Sequence, residues 1–226
     1  MDIELARELF KTLVYFTPKQ NEVIPFYVDH PIFESTNLGD SEGIFNIFEE
    51  EERFSKYLED LCATADIEED VSFLVFRVRK VYRLFFINYL YSNNCLSKDE
   101  AAKLIIEFWQ TLENIGNDVN VNKQTILSFL RYYAKHTSEE KRNLCSFRDS
   151  VKIYRGCTKA GKKSFSWTLS EDKAEWFAKR FNLKGAVVCS AFINKKDIIH
   201  YFPGGEQEVV VDYTKLQELK EVRCFN

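Results

Sequence analysis

Glycine and proline are scarce in this chain of 226 residues, eight and four in number, and no stretch rich in Gly, Pro or Ser could serve as a linker. There is no internal repeat. The three histidines, His30, His136 and His200, lie far apart, and the six cysteines (Cys62, Cys95, Cys145, Cys157, Cys189 and Cys224) form no Cys-x-x-Cys pair. No metal site can be read from that scatter, which excludes a zinc fold or a zinc enzyme as an expectation. A long apolar run is missing too. The most apolar window, VSFLVFRVRKVYRLFFINYL (71–90), is interrupted by Arg77, Arg79, Lys80 and Arg83, cations that a membrane span would not tolerate near its middle. The first residues, MDIELARELFKTL, carry acids where an export signal has cations and space their apolar residues as a helix does. The expectation is a cytoplasmic protein with reduced thiols and no membrane partner.

What is present is an ordinary core-forming composition: 45% apolar and 29% charged residues, net charge -4, and 20 phenylalanines that suit aromatic packing between helices. The charge is unevenly placed. Residues 151–226 hold 14 Lys/Arg against 9 Asp/Glu, a net of +5, whereas the first 150 hold 17 against 26, a net of -9. The hydrophobic period changes at the same place. MDIELARELFKTLVYF, GIFNIFEEEERFSKYLEDLCATA, 71–92, SKDEAAKLIIEFWQTLENIG and NKQTILSFLRYYAKHT space their apolar residues by three and four, as helices do. Ser97 and Glu100 form a capping box, with Leu96 placed to staple onto Ala101. Residues 17–40, with Pro18, Pro25 and Pro31, read as an irregular extended connection, and the acids Glu49 to Glu52 as a solvated helix face.

After residue 149 come short segments rich in branched and aromatic residues: 151–157, 163–168, 185–193, 197–202, 206–212 and 220–225. One helix interrupts them, SEDKAEWFAKRF, capped by Ser170 and burying Ala174, Phe177, Ala178 and Phe181. The expected fold class is α+β, a helical region over 1–149 that packs on or helps complete a mainly antiparallel β core over 150–226.

Three features of the β part carry chemistry. Arg155, near a strand end and followed by Gly156, suits a bidentate grip on phosphate, with a glycine that lets a ligand approach the backbone. Ser166 and Thr168 share a strand face opposite Trp167, where two hydroxyls can orient a carboxylate or a sugar. Glu206 and Glu208, two apart at the head of a valine strand, are expected on one face, where they repel unless a task holds them.

In this order, Arg155, Ser166-Trp167-Thr168 and Glu206-Gln207-Glu208 resemble the mono-ADP-ribosyltransferases of the arginine-serine-glutamate type, with Trp167 where that family has threonine. Ala174 and Phe177 on the following helix match the family pattern as well. The resemblance covers 150–226 and implies an ADP-ribosyltransferase core that consumes NAD as substrate, needs no metal and releases nicotinamide. By the same resemblance Glu208 faces the positive charge that builds on the ribose, Ser166 orients Glu208, Arg155 holds the phosphates and the backbone at Gly156 meets the nicotinamide amide. Thr168 lines the same NAD site, and Glu206 receives the acceptor, which for Glu-x-Glu is a protein arginine. Six strands are fewer than that family's core carries, so either a further strand lies in a segment read as helix or loop, or part of 1–149 completes the core. Transfer to RNA or DNA, suggested by the basic balance of 151–226, and a catalytically silent fold that binds a partner through its helices are the competing readings. As an enzyme of this kind the chain is expected to be a toxin or a phage or delivered effector, with an antitoxin or inhibitor as a further partner.

Overall fold

The computed structural model describes residues 1–113, 115, 120–180 and 184–225. The chain divides into two compact units, Met1–Glu113 and Asn114–Asn226. The boundary expected at 149/150 from charge and period therefore falls inside the second unit.

In the first unit, α1 (Ile3–Val14) starts at Asp2, whose carboxylate accepts from the Leu5 amide at 3.0 Å, and buries Ala6, Phe10, Leu13 and Val14. The stretch expected to be irregular holds two small antiparallel ladders. β1 (Lys19–Gln20) pairs with β2 (Val28–Asp29), and β3 (Asn37–Asp40) pairs with β4 (Gly43–Asn46). Gly43, at φ 115°, closes the two-residue loop of that hairpin, and Leu38 faces Phe45 in the buried cluster behind it. The helix expected from Gly43 consequently begins only at Glu51, as α2 (Glu51–Asp66). The acids Glu49 to Glu52 are exposed about its first turn, where the positive end of the helix dipole favours them, rather than along one face.

The segment 71–92 is two helices, α3 (Val71–Arg77) and α4 (Lys80–Ser92), because Val78 and Arg79 are extended, with ψ 137° and 143°. α5 (Lys98–Phe108) carries the capping box at Ser97 and Glu100, and gives way to a short 3-10 turn, Trp109–Thr111. The end expected for that helix, Asn114 and Gly116, lies outside the described residues.

The second unit begins with α6 (Lys123–His136), capped by Asn122, which packs on the sheet at its β8 edge. The strands are β5 (Ser150–Thr158), β6 (Ser166–Thr168), β7 (Ala186–Asn194), β8 (Ile198–Phe202), β9 (Glu208–Val211) and β10 (Gln217–Cys224), with α7 (Glu171–Lys179) between β6 and β7. They form one six-stranded sheet in the order β10-β7-β5-β6-β9-β8, antiparallel throughout. Alternation along β7 explains how both faces are covered. Val187, Cys189, Ala191 and Ile193 enter one core with Ile153, Trp167, Val209 and Val211, while Ala186 and Val188 meet Ala174 and Ala178 of α7. Each buried valine or isoleucine contributes roughly 1.5–3 kcal/mol through removal from water. Phe181, expected in the α7 stripe, lies outside the described residues. No helix among the described residues is long and apolar enough to cross a membrane.

Candidate functional site

β5 and β6 are joined by one register pair, Tyr154 with Thr168. Beyond it the strands part, and the side chain of Arg155 spans the gap: Nε donates to Gly161 O at 2.9 Å and Nη1 donates to Ser166 O. The guanidinium thus satisfies two carbonyls that a continued ladder would have paired with backbone amides. Burial pushes the Arg155 pKa below the ordinary arginine value, and the nearby Cys157 and Glu208 act in the opposite direction.

At this parting of strands lies a pocket of about 150 Å³ that Arg155, Gly156, Ser166, Thr168, Glu206 and Glu208 all help to line. Every residue that the sequence placed at the site is therefore at one pocket. Tyr154 and Phe177 line it too. Sequence reasoning did not assign them there, although the Ala-x-x-Phe spacing on α7 was a signal for Phe177.

The two glutamates reach the pocket by different routes. Glu208 opens β9 opposite Thr168, is buried, and accepts a hydrogen bond on Oε1 from Ser166 Oγ at 2.5 Å. Ser166 and Val210 are the cross-strand partners, so the serine reaches its acid diagonally, one pleat away on the same face. Glu206 is not on a strand. Gln207 has φ 48°, a left-handed conformation that breaks the extended run, and Glu206 lies in the turn before it. The expected two-residue alternation does not apply, and the acids share the pocket because the turn folds Glu206 back toward it. That turn is held by backbone bonds: Gln207 N donates to Gly204 O at 2.9 Å and Leu169 N to Gln207 O at 3.2 Å. Thr168 takes part, its Oγ1 donating to Glu206 O at 2.7 Å and accepting from Ser170 N at 3.1 Å. One hydroxyl of the strand therefore orients a carboxylate, and the other pins the turn that carries the second acid.

Trp167 faces the opposite core and donates from Nε1 to Ser164 O at 2.9 Å, so its bulk does not enter between the two hydroxyls. Gly156 has a structural requirement of its own. A Cβ there would stand 1.9 Å from Ala174 O and 2.5 Å from Ala178 N, so α7 can lie on β5 only over a glycine. Lys123, at the start of α6, adds positive charge on the Arg155 side: its ammonium lies over the Tyr213 ring, and burial together with the Arg155 charge lowers its pKa.

The arrangement pairs a buried, serine-oriented carboxylate with an exposed carboxylate on a turn and a half-buried guanidinium at the side. Such a set can stabilise a cation forming on a ligand held in the pocket while a second, exposed acid meets another molecule. No family model, curated protein or solved structure matches the chain.

Proposed function

We propose that this chain is an NAD-dependent mono-ADP-ribosyltransferase that modifies protein arginine side chains, and that its second unit is a core of the ADP-ribosyltransferase kind. The observation that carries the reading is the hydrogen bond from Ser166 Oγ to Glu208 Oε1 in the lining of a pocket that Arg155 and Glu206 share. The pocket is smaller than the roughly 300 Å³ at which whole-ligand sites begin. It fits the nicotinamide ribose end of NAD, with the diphosphate lying outward past Arg155. Nε and Nη1 of that guanidinium are held by carbonyls and the Cys157 thiol lies beside it, so a phosphate oxygen is to be met by Nη2 in competition with that thiol.

In the reaction the ribose–nicotinamide C–N bond breaks and its electron pair leaves with the nicotinamide nitrogen. Positive charge then spreads over the ribose C1 and ring oxygen. Glu208, fixed by Ser166, presents a carboxylate to that charge, a contribution of about 3–4 kcal/mol for preorganised groups of this kind. A guanidinium nitrogen of the acceptor forms the new bond to C1, and its proton passes to Glu206. Neither carboxylate needs a metal for these roles. The cytoplasm, where NAD is available and all six free cysteines stay reduced, is the fitting place of action. The second reading is transfer to nucleic acid, which the basic balance of residues 151–226 favours.

Incubation with labelled NAD, a protein extract and, separately, purified RNA and DNA tests these readings. Label is expected in protein arginine. Glu208→Gln should lower both nicotinamide release and transfer by at least about a hundredfold, whereas Glu206→Gln should suppress transfer and leave slow NAD hydrolysis. Label in nucleic acid selects the second reading. Turnover of NAD undiminished by Glu208→Gln, or no turnover by the unaltered chain with any acceptor, refutes the first.

A further inference from the structure

The first unit holds another break in regular structure that an arginine spans. Between α3 and α4 the chain is extended at Val78 and Arg79, and Arg83, in the first turn of α4, folds back across the break. Its Nε donates to Val78 O at 2.9 Å and its Nη2 to Phe76 O at 2.8 Å, closing the carbonyl end of α3. Arg83 is only 5% exposed, and its remaining nitrogen, Nη1, is buried without a hydrogen-bond partner among the described residues. Buried charged donors of this kind in folded proteins point to a partner that is an ion, a water or a ligand.

A second feature converges on the same place. α4 has 13 residues and no side-chain cap at its N-terminus, where the first-turn amides of Lys80 and Val81 find no carbonyl within the helix. Arg83, Lys80, Val81, Arg77 and Arg79 line one pocket of about 650 Å³, whose acids are Glu34 and Glu113. Arg79 already pairs with Glu34 at 3.1 Å and Arg77 with Glu68 at 3.1 Å, and the charge of Glu113 acts on Arg83; Lys80 and Arg83 are the cations in the first turn of the helix. Its apolar lining includes the buried Phe33 and the largely exposed Phe76, whose ring centroid is 5.1 Å from the guanidinium carbon of Arg83.

We infer that this pocket binds a small molecule bearing a phosphate ester. The phosphate sits on the N-terminus of α4, receives the Lys80 and Val81 amides and draws Nη1 of Arg83, while the organic part lies against Phe33 and Phe76. A tetrahedral anion with three free oxygens suits donors that arrive from the backbone, a guanidinium and an ammonium at once. The volume is several times that of a bare phosphate and within the range of small-molecule sites. The inference is independent of the reading given for the second unit.

Phenyl phosphate is the probe, titrated calorimetrically into the full chain. Saturable binding is expected, stronger than that of inorganic phosphate. Lys80→Pro is the informative variant. Proline suits the first position of a helix, and Arg79 has the extended backbone that a residue before proline requires, so the fold is retained while one amide and one charge are lost. Its affinity for phenyl phosphate should fall at least about tenfold, and that of Lys80→Ala, which loses only the charge, by less. Arg83→Met should abolish binding if it folds. Absence of saturable binding to the unaltered chain, or undiminished binding to a folded Lys80→Pro, overturns the inference.

Discussion

Arg83 and Arg155 stand in different units and do the same structural work. Each lies where regular structure is interrupted, α3 from α4 in one case and β5 from β6 in the other, and each gives two guanidinium nitrogens to backbone carbonyls across the gap. They differ in what surrounds the third nitrogen. Near Arg155 stand two glutamates, one buried and one exposed, whereas the pocket beside Arg83 is mainly basic and partly aromatic. An arginine in a short motif is therefore first a part of the scaffold. Its ligand-facing role is what remains after the carbonyls have been served, and the neighbouring charges decide which ligand that is.

The strongest way to break the second unit's site without touching a charge is Gly156→Ala. The added methyl would collide with the backbone of α7 at Ala174 and Ala178, and neither atom belongs to a flexible side chain. A loss of about 3 kcal/mol or more is expected, at the upper end of overpacking effects. Denaturant unfolding measures it. The same exchange in the first unit, Gly43→Ala, meets no atom within 4 Å and strains only a backbone at φ 115°, so it should cost less, roughly 1–2 kcal/mol. Equal losses would mean that α7 moves away from β5 easily and that its approach is not what requires the glycine.

These glycines also show what could be read from the sequence. The six strand segments were legible because each is short, rich in branched residues and bounded by turn residues, and the caps Ser97 and Ser170 marked two helix starts. The β3–β4 hairpin was hidden because Ile44, Ile47 and Phe48 mimic a helical period with the apolar residues that follow. The break at Val78 was hidden because its stabiliser, Arg83, acts through a fold-back that no local pattern reports. At the candidate site the motif residues were legible, but not their reasons. Gly156 is required by a helix, Thr168 is spent on a turn, and Glu206 leaves the strand because Gln207 is left-handed.

Acid should affect both units. Burial lowers the pKa of His30 in the first unit and of His200 in the second from 6.5 to about 4. Both are neutral in the folded chain at a pH where the unfolded chain has protonated them, so the unfolded state binds more protons. Stability is therefore full above about pH 6.5 and falls as the pH drops toward 4, by roughly 2–3 kcal/mol for each histidine. Urea unfolding at pH 7.5, 5.5 and 4.5 measures the slope. His200→Gln, which can keep a bond to Tyr133, should flatten it for the second unit, and His30→Gln for the first. An unchanged slope in either variant would assign the acid sensitivity to carboxylates instead.

The smallest effects bear most directly on the two arginines. Lysine in place of Arg83 or Arg155 retains the charge but replaces a rigid fork by a single ammonium, so at least one of the two carbonyls loses its donor. Each change should cost roughly 1–2 kcal/mol of stability, the lower part of the penalty for leaving an acceptor without its donor. Ligand affinity should then separate the sites. Arg155→Lys is expected to weaken NAD binding and Arg83→Lys to weaken phenyl phosphate binding, each by about tenfold, because the third nitrogen of the fork is lost at a different pocket in each case. Calorimetry of both variants with both ligands decides it. If Arg155→Lys loses stability and keeps its affinity for NAD, the guanidinium there is scaffold alone, and the phosphates of NAD must be held by other cations, with Lys123 the first to examine since its charge already lies within reach of Arg155.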